Sequence, residues 1–441
     1  MGTDVTTSPG SEPTFSSPML TAPGAVDRLS PYAATWLSLL FVASRVGIFL
    51  FLAGRGTDLN VQEGYVWQIL GGRVPFRDFF PEYPPLVFAF TGIPALFDHS
   101  LQLYSPIFRA CCCAVDCGIW ATVLRINRAR VAPCLVYVLG TTALGPVLYD
   151  RIDIVLGALL LAAIAATRSG RPRVGALAIG AGIAFKIIPI VWAPAILAAE
   201  GRRGARRLAW AAMLLVLPAV ISLDTVAAFG GYRFGALIDY HSLRGIQLES
   251  GPASVEMLLM RGPEDAIVTY EFGSFNLHTR FEPLLIRCAA ALTGLLVLGS
   301  PGMAWRRDMG RQNLALLLGA VLCGAMALSK VLSPQYIVFL LPVLVALPSP
   351  VRKRAAIANW ILVLAIALLT GAIFPWEYDR LIQLRLDAEL LVILRNGCLA
   401  GLCISLLYRS RLLKTWRQGR RINHREHRER RDRREEAVNR R

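Results

Sequence analysis

The stretch 55-RGTDLNVQEGYVWQILGGRVPFRDFFPEYPP-85 lies between two strongly apolar segments and carries four acidic residues, Asp58, Glu63, Asp78 and Glu82. So polar a loop, so near the start of so apolar a chain, reads as the first segment to leave the hydrocarbon after a membrane-spanning helix. Within it Leu59, Val66, Ile69 and Leu70 fall near helical spacing with polar residues between them. That pattern predicts a short amphipathic helix lying at the membrane surface, with Asp58 at its start.

The composition agrees. Hydrophobic residues make up 55% of the 441 positions and the mean hydropathy is +0.49, above the roughly 45–50% apolar usage of soluble domains. Several windows, "AAIANWILVLAIALLTGAIF" (355–374) among them, reach the roughly 18 to 20 uncharged residues that span a bilayer. The expected fold is all-α: a polytopic helix bundle with about 10 crossings plus re-entrant or short helices. The net charge of +17 raises nucleic acid as a partner, but its placement excludes it. Most of the excess arginine sits in short links between apolar windows and in the tail "RQGRRINHREHRERRDRREEAVNRR" (417–441), the positive-inside signature, with lipid head groups as the nearer partner.

Apolar windows fall at roughly 33–54, 84–98, 103–124, 131–149, 152–167, 174–199, 207–223, 282–300, 312–329, 335–350, 355–375 and 386–408. Placing the basic links 125–130, 168–173, 200–207, 305–311, 351–354 and 408–414 in the cytoplasm puts the N-terminus there too. Two windows then do not cross. The 84–98 segment is short and begins "EYPPL", so it dips in and returns or lies at the outer surface. The 174–199 window carries Pro189 in its middle and basic residues at both ends, so it reads as two half-helices whose tip, "FKIIP", points to the outer side. The domain plan is a disordered cytoplasmic N-terminus (1–32), a transmembrane domain (33–408) and a disordered basic tail (409–441). Residues 1–30 are rich in Ser, Pro and Thr with one arginine, Arg28, which reads as no cleavable signal, the first span being an uncleaved anchor. The nine cysteines, including "CCCAVDC" (111–117), show no zinc or disulfide spacing and read as small packing hydrophobes.

Under this plan the polar stretches gather on one face, outside the cytoplasm: the opening loop, "LYDRID" (148–153), the long segment 224–281, "SKVLSPQY" (329–336) and "FPWEYDRL" (374–381). From local sequence alone Asp58 reads either as a helix N-cap, with Asn60 and Glu63 as a rival capping pair, or as a catalytic carboxylate.

The run 57–86, "TDLNVQEGYVWQILGGRVPFRDFFPEYPPL", resembles the first outer loop of the GT-C polyprenol-phosphate-sugar-dependent glycosyltransferases, in particular the mannosyltransferases of glycosyltransferase family 87. The residues that carry it are Asp58, Gly72, Pro75, Phe76, Asp78, Phe79 and Glu82 to Pro85. "DRIDIVLGALLLAAIA" (150–165) followed by "AFKIIP" (184–189), then "YHSLRGIQLES" (240–250), then "KVLSPQY" (330–336) extend it in the same order to about residue 350. One departure stands out: the loop after the first span has a single acid, Asp58, where some relatives have two adjacent ones, which leaves a divalent metal possible but unsupported.

The resemblance implies a GT-C-like bundle that transfers a sugar, mannose foremost, from a polyprenyl-phosphate donor to a glycolipid or lipoglycan acceptor. The resemblance also implies transfer with inversion on the extracytoplasmic face of the plasma membrane. Such chemistry asks for a carboxylate to take the proton of the attacking hydroxyl, and Asp58 is the candidate. It also asks for positive charge on the departing phosphate. Lys186, costly near a bilayer centre unless it faces a cavity or a partner, is the first choice, against a snorkelling lysine. His241 is expected to donate to the phosphate or orient the acceptor, and Arg244 to offer a bidentate fork. Gln247 and Glu249 share their loop, which is otherwise a solvated one. Arg151 and Asp153 form either an ion pair that orders a helix end or a phosphate site. Lys330, Gln335 and Tyr336 open another outer helix end, and Asp78 and Glu82 either bind sugar hydroxyls or cap the next helix. The competing class is a lipid-linked sugar flippase or secondary transporter, for which a broken helix bearing a lysine is the motivating feature.

Overall fold

The computed structural model describes residues 30–52, 59–127, 130–231, 233, 235–260, 262–306, 309–350 and 352–411. The N-terminal stretch before Ser30, Asp58 and the basic tail after Arg411 lie outside the described residues.

The chain is mostly helical. α1 (Pro31–Phe51) opens on Ser30, whose Oγ accepts from the Ala33 amide at 3.1 Å, with Pro31 where the amide has no helical partner to lose. It is followed by α2 (Leu59–Leu70), α3 (Val87–Thr91), α4 (Ile93–Phe97), α5 (Tyr104–Ile126), α6 (Val131–Ala143), α7 (Gly145–Leu148), α8 (Asp153–Ser169), α9 (Pro172–Phe185), α10 (Ala193–Gly201), α11 (Ala205–Ala228), α12 (Gly235–Leu243) and α13 (Gly251–Leu259). α14 (Glu282–Ala304), α15 (Arg311–Leu328), α16 (Gln335–Ala346), α17 (Lys353–Gly371), α18 (Tyr378–Ile382) and α19 (Leu386–Arg411) complete it.

Among the described residues, seven helices are long and apolar enough to cross a membrane: α1, α5, α11, α14, α15, α17 with its continuation to Trp376, and α19. The protein is therefore a polytopic membrane protein. The other three expected crossings fold as α6 with α7, as α8 and as α16. Helices α6, α8 and α16 have 13, 17 and 12 residues, short of the roughly 20 that a lipid-facing span needs. Their positions explain it. Every residue of α16 except Tyr336 is buried, whereas only 11% of the apolar window of α14 is. Inner helices fill the bundle, while α1, α11 and α14 present its apolar outside.

Arg45 and Asp116, both buried, are paired, as low polarity demands. Where α1, α5 and α6 meet, Asp116 accepts from Arg45 Nε at 2.8 Å and from the hydroxyls of Tyr137 and Tyr149 at 2.5 and 2.6 Å. The cysteines are free, and Cys112 and Cys134 are buried among apolar side chains.

Two further elements shape the site. Pro189 has no amide to bond the Phe185 carbonyl, so α9 ends, Lys186 turns extended (φ −157, ψ 113), and a 3₁₀ turn (Ile188–Trp192) leads into α10. This is the expected pair of half-helices. The 224–281 segment, expected as a long loop, is instead built from the end of α11, α12, α13 and a small antiparallel sheet of β1 (Ile246–Gln247), β2 (Ile267–Glu271) and β3 (Ser274–His278) in the order β1-β3-β2. The β2–β3 hairpin turns on Phe272 (φ 52) and Gly273 (φ 71), the two positive values of a tight primed turn. In α2 the buried positions are Leu59, Gln62 and Val66 while Leu70 is exposed, so the buried face lies one turn nearer the N-terminus than the apolar pattern suggests.

Candidate functional site

The helix break, the hairpin tip and several helix ends converge on one cavity of about 300 Å³. Its wall takes Glu82 and Tyr83 from the "EYPP" turn, Arg151 from the approach to α8, Lys186 from the break and His241 from α12. Arg244 comes from the link after α12, Gln247 from β1 and Glu249 from the turn before α13, and Phe272 to Phe275 come from the hairpin. Ser333 to Tyr336 at the start of α16, with Phe374 and Tyr378, close the far side.

The cations are held in place from behind. Lys186 Nζ lies 2.7 Å from Asp153 Oδ1, with the rings of Tyr336 and Tyr83 at 4.8 and 5.6 Å. Both members of the pair are buried. Burial pushes Arg151 down to about 10, against the pull of Asp153 and Glu249, so its guanidinium keeps its charge near neutrality. Arg244 donates through Nη2 to Ser274 Oγ at 2.9 Å and stands 5.7 Å from the Tyr240 ring. Lys330 does not reach the cavity wall. Its ammonium donates to the carbonyls of Ser242 and Arg244 at 2.8 and 2.6 Å, tying the end of α12 and the link that carries Arg244 to the segment leading into α16.

Glu249 is fully buried, with its position fixed on three sides. Ser250 caps α13, its Oγ accepting from Ala253 N at 3.1 Å, and Gly251 packs so tightly on the Ala327 carbonyl that no side chain fits there. From α19, Arg395 and Asn396 both donate to the Glu249 carbonyl, and Arg395 Nη1 lies 3.6 Å from Glu249 Oε1. Neither carboxyl oxygen of Glu249 has a hydrogen-bond partner among the described residues. Burial raises this carboxyl from 4.5 to about 7, opposed by Arg395 and Arg151. His241, exposed at the rim, goes the other way: the surrounding protein, then Arg244, Lys186 and Lys330, bring it down to about 4. At neutral pH it is an uncharged imidazole with a single N–H to give. Gln247 and Ser333 bond each other side chain to side chain at 2.9 to 3.1 Å.

Nine of the residues singled out from sequence thus share one cavity: Glu82, Arg151, Lys186, His241, Arg244, Gln247, Glu249, Gln335 and Tyr336. Asp153 and Lys330 stand behind it as supports. Asp153 pairs with Lys186 and also pulls on the Arg151 charge. Asp78 lies outside the wall, in a local turn. It bonds Arg77 and the Val74 amide, and the Arg77 bond, followed by that amide, holds it down at about 2. The catalytic candidate Asp58 immediately precedes α2 and is outside the described residues.

Sequence reasoning missed the aromatic wall, Tyr83, Tyr270, Phe272, Phe374 and Tyr378, and the Arg395–Asn396 clamp on α19. A signal for the clamp was there, because the cost that singles out a lysine in an apolar window applies equally to Arg395. Together the wall offers guanidinium and ammonium groups for a phosphate, carboxyl and amide groups for hydroxyls, and ring faces for a sugar. Among the described residues no three His, Cys, Asp or Glu side chains cluster in a manner that would hold a metal.

No match to the chain is found among curated proteins or among solved structures. Residues 80–334, which contain most of this wall and more than half of the chain, match glycosyltransferase family 87. The chain belongs to glycosyltransferase family 87.

Proposed function

We propose that the protein transfers a sugar, mannose foremost, from a polyprenyl-phosphate carrier to a hydroxyl of a glycolipid or envelope polysaccharide, with inversion, on the extracytoplasmic face of the plasma membrane. The observation that carries this reading is the meeting of Arg151, Lys186 and Arg244 with Glu82 and Glu249 in one cavity. The acceptor oxygen attacks the anomeric carbon as its proton passes to a carboxylate, assigned to Asp58 from the family motif. The anomeric C–O bond breaks with its electron pair going to the phosphate, where the three cations stabilise the growing charge.

The lipid part of the donor has its own support. Pro84 lines the cavity and Pro85 the adjoining groove, a mostly apolar trough of about 560 Å³ bordered by Ile69, Phe88, Leu217 and Val226. A polyprenyl chain running along that trough would bring its phosphate to Lys186. Support for the orientation comes from the basic links 168–173 and 200–207, which lie at the far end of α8, α9 and α11 from the cavity, as an outward-facing cavity requires.

The test is transfer of labelled sugar from polyprenyl-phosphate-mannose to endogenous lipids in membranes holding the protein or its Lys186→Gln variant. Transfer by the first and not by the second, at equal expression, supports the reading. Failure with every polyprenyl-phosphate sugar favours a flippase.

A further inference from the structure

The other end of the bundle carries a second hollow. α8 runs from Asp153, beside the catalytic cavity, to Thr167, which lines this one, so roughly 20 Å of helix separates the two. The hollow has a volume of about 490 Å³ and is walled by Arg171, Arg173, Arg203, Arg207 and Arg311, with Glu200 as the acidic residue in its lining.

These arginines are exposed around the hollow. Gly170 ends α8 with φ 75, and the Arg311 guanidinium lies directly over it. Arg173 lies over the Trp210 ring at 5.7 Å. Glu200, only 2% exposed, pairs with Arg203 and stands 3.8 Å from Arg207. One carboxylate therefore serves two guanidinium groups, and Arg171, Arg173 and Arg311 have no carboxylate partner among the described residues. A hollow with that excess of positive charge attracts an anion.

The surroundings indicate which anion. Val174 and Leu177 on α9 and Leu208 and Met213 on α11 are exposed beside the hollow, an apolar surface for acyl chains directly next to a cationic seat. Glu200 Oε2 is buried without a hydrogen-bond partner and is available to a donor. We propose that this hollow binds the headgroup of an anionic phospholipid: the phosphodiester lies among Arg173, Arg207 and Arg311, a headgroup hydroxyl donates to Glu200 Oε2, and the acyl chains run along α9 and α11. Arginine suits the task because its planar fork matches two phosphate oxygens at once.

The test uses the delipidated full-length protein in nonionic detergent, with phosphatidylglycerol as probe and native mass spectrometry as readout. The protein should retain phosphatidylglycerol and not phosphatidylcholine, and Arg173→Gln/Arg311→Gln should weaken retention by roughly tenfold or more, while Arg354→Gln, an exposed arginine on α17, leaves it unchanged. A lipid-free melting curve shows whether the double variant is folded. If it is not, Arg207→Gln, whose side chain is half exposed, replaces it with the same expected direction. Equal retention by folded variant and wild type overturns the proposal. So does retention of phosphatidylcholine, or stabilisation by inorganic phosphate equal to that by phosphatidylglycerol.

Discussion

Lys186 Nζ and Asp153 Oδ1 lie 2.7 Å apart, and the pair joins the break between α9 and α10 to the first turn of α8. Each charge is buried and relies on the other. Removing either alone should cost about 3–5 kcal/mol, because the survivor is left uncompensated. Asp153→Asn and Lys186→Met should each lower the melting temperature of the solubilised protein sharply. The double variant should regain most of that stability and none of the transfer activity. Recovered activity in the double variant would remove Lys186 from phosphate binding.

Glu249 and His241 give opposite pH dependences. Glu249 titrates near 7 in the fold against 4.5 unperturbed. Its contribution to stability is full below 4.5 and is lost as the pH rises through 7, a change on the order of 3 kcal/mol for a fully buried group. His241, brought to about 4 from 6.5, contributes stability that is present above 6.5 and lost as the pH falls through 4. Glu256, raised to about 7 chiefly by burial, works in the same sense as Glu249. His241→Asn should therefore make thermal stability fall more steeply between pH 4.5 and 7, and Glu249→Gln should flatten or invert that slope. Melting curves across the window check both signs.

Arg244 sits where two contacts aim its guanidinium, the Ser274 hydroxyl and the Tyr240 ring. Losing a charge-assisted bond to a phosphate costs about 1.5–3 kcal/mol, so Arg244→Gln should raise the donor KM by roughly tenfold to a hundredfold. Arg244→Lys should restore little of this, since an ammonium keeps the charge but not the planar fork. Initial rates against donor concentration decide. A full rescue by lysine would mean that charge alone matters at this position.

Much of this arrangement was legible in the sequence where a single residue breaks a strong rule. Lys186 and Pro189 inside an apolar window announce a break and a buried charge, and both are found. The inner helices were harder, because α16 is as apolar as a lipid-facing span and only its packing reveals that it is enclosed. The hairpin was hidden for a different reason: Phe272 adopts a positive φ that its side chain does not advertise, and one Gly273 is a weak turn signal. The Arg395 hold on Glu249 joins residues 146 apart in the chain, which no local pattern encodes.

The remaining prediction separates the carboxyl groups by role. Asp58 precedes α2 in a loop that resembles the first outer loop of the family, and in the proposed reaction it takes the proton of the attacking hydroxyl, a task worth about 10² to 10⁴ in rate. Asp58→Asn should lower kcat by that factor and leave donor binding near wild type. Glu249 lines the cavity with neither oxygen hydrogen-bonded among the described residues, is held by α19, and is assigned to bind a hydroxyl of sugar or acceptor. Glu249→Gln should keep much of kcat while raising KM several-fold, because an amide still accepts through one oxygen. The pH–rate profile distinguishes the assignments even where both variants are slow. If Glu249 is the base, kcat in the wild type falls as the pH drops below about 7, and that limb vanishes in Glu249→Gln. If Asp58 is the base, the acid limb survives Glu249→Gln and is lost in Asp58→Asn.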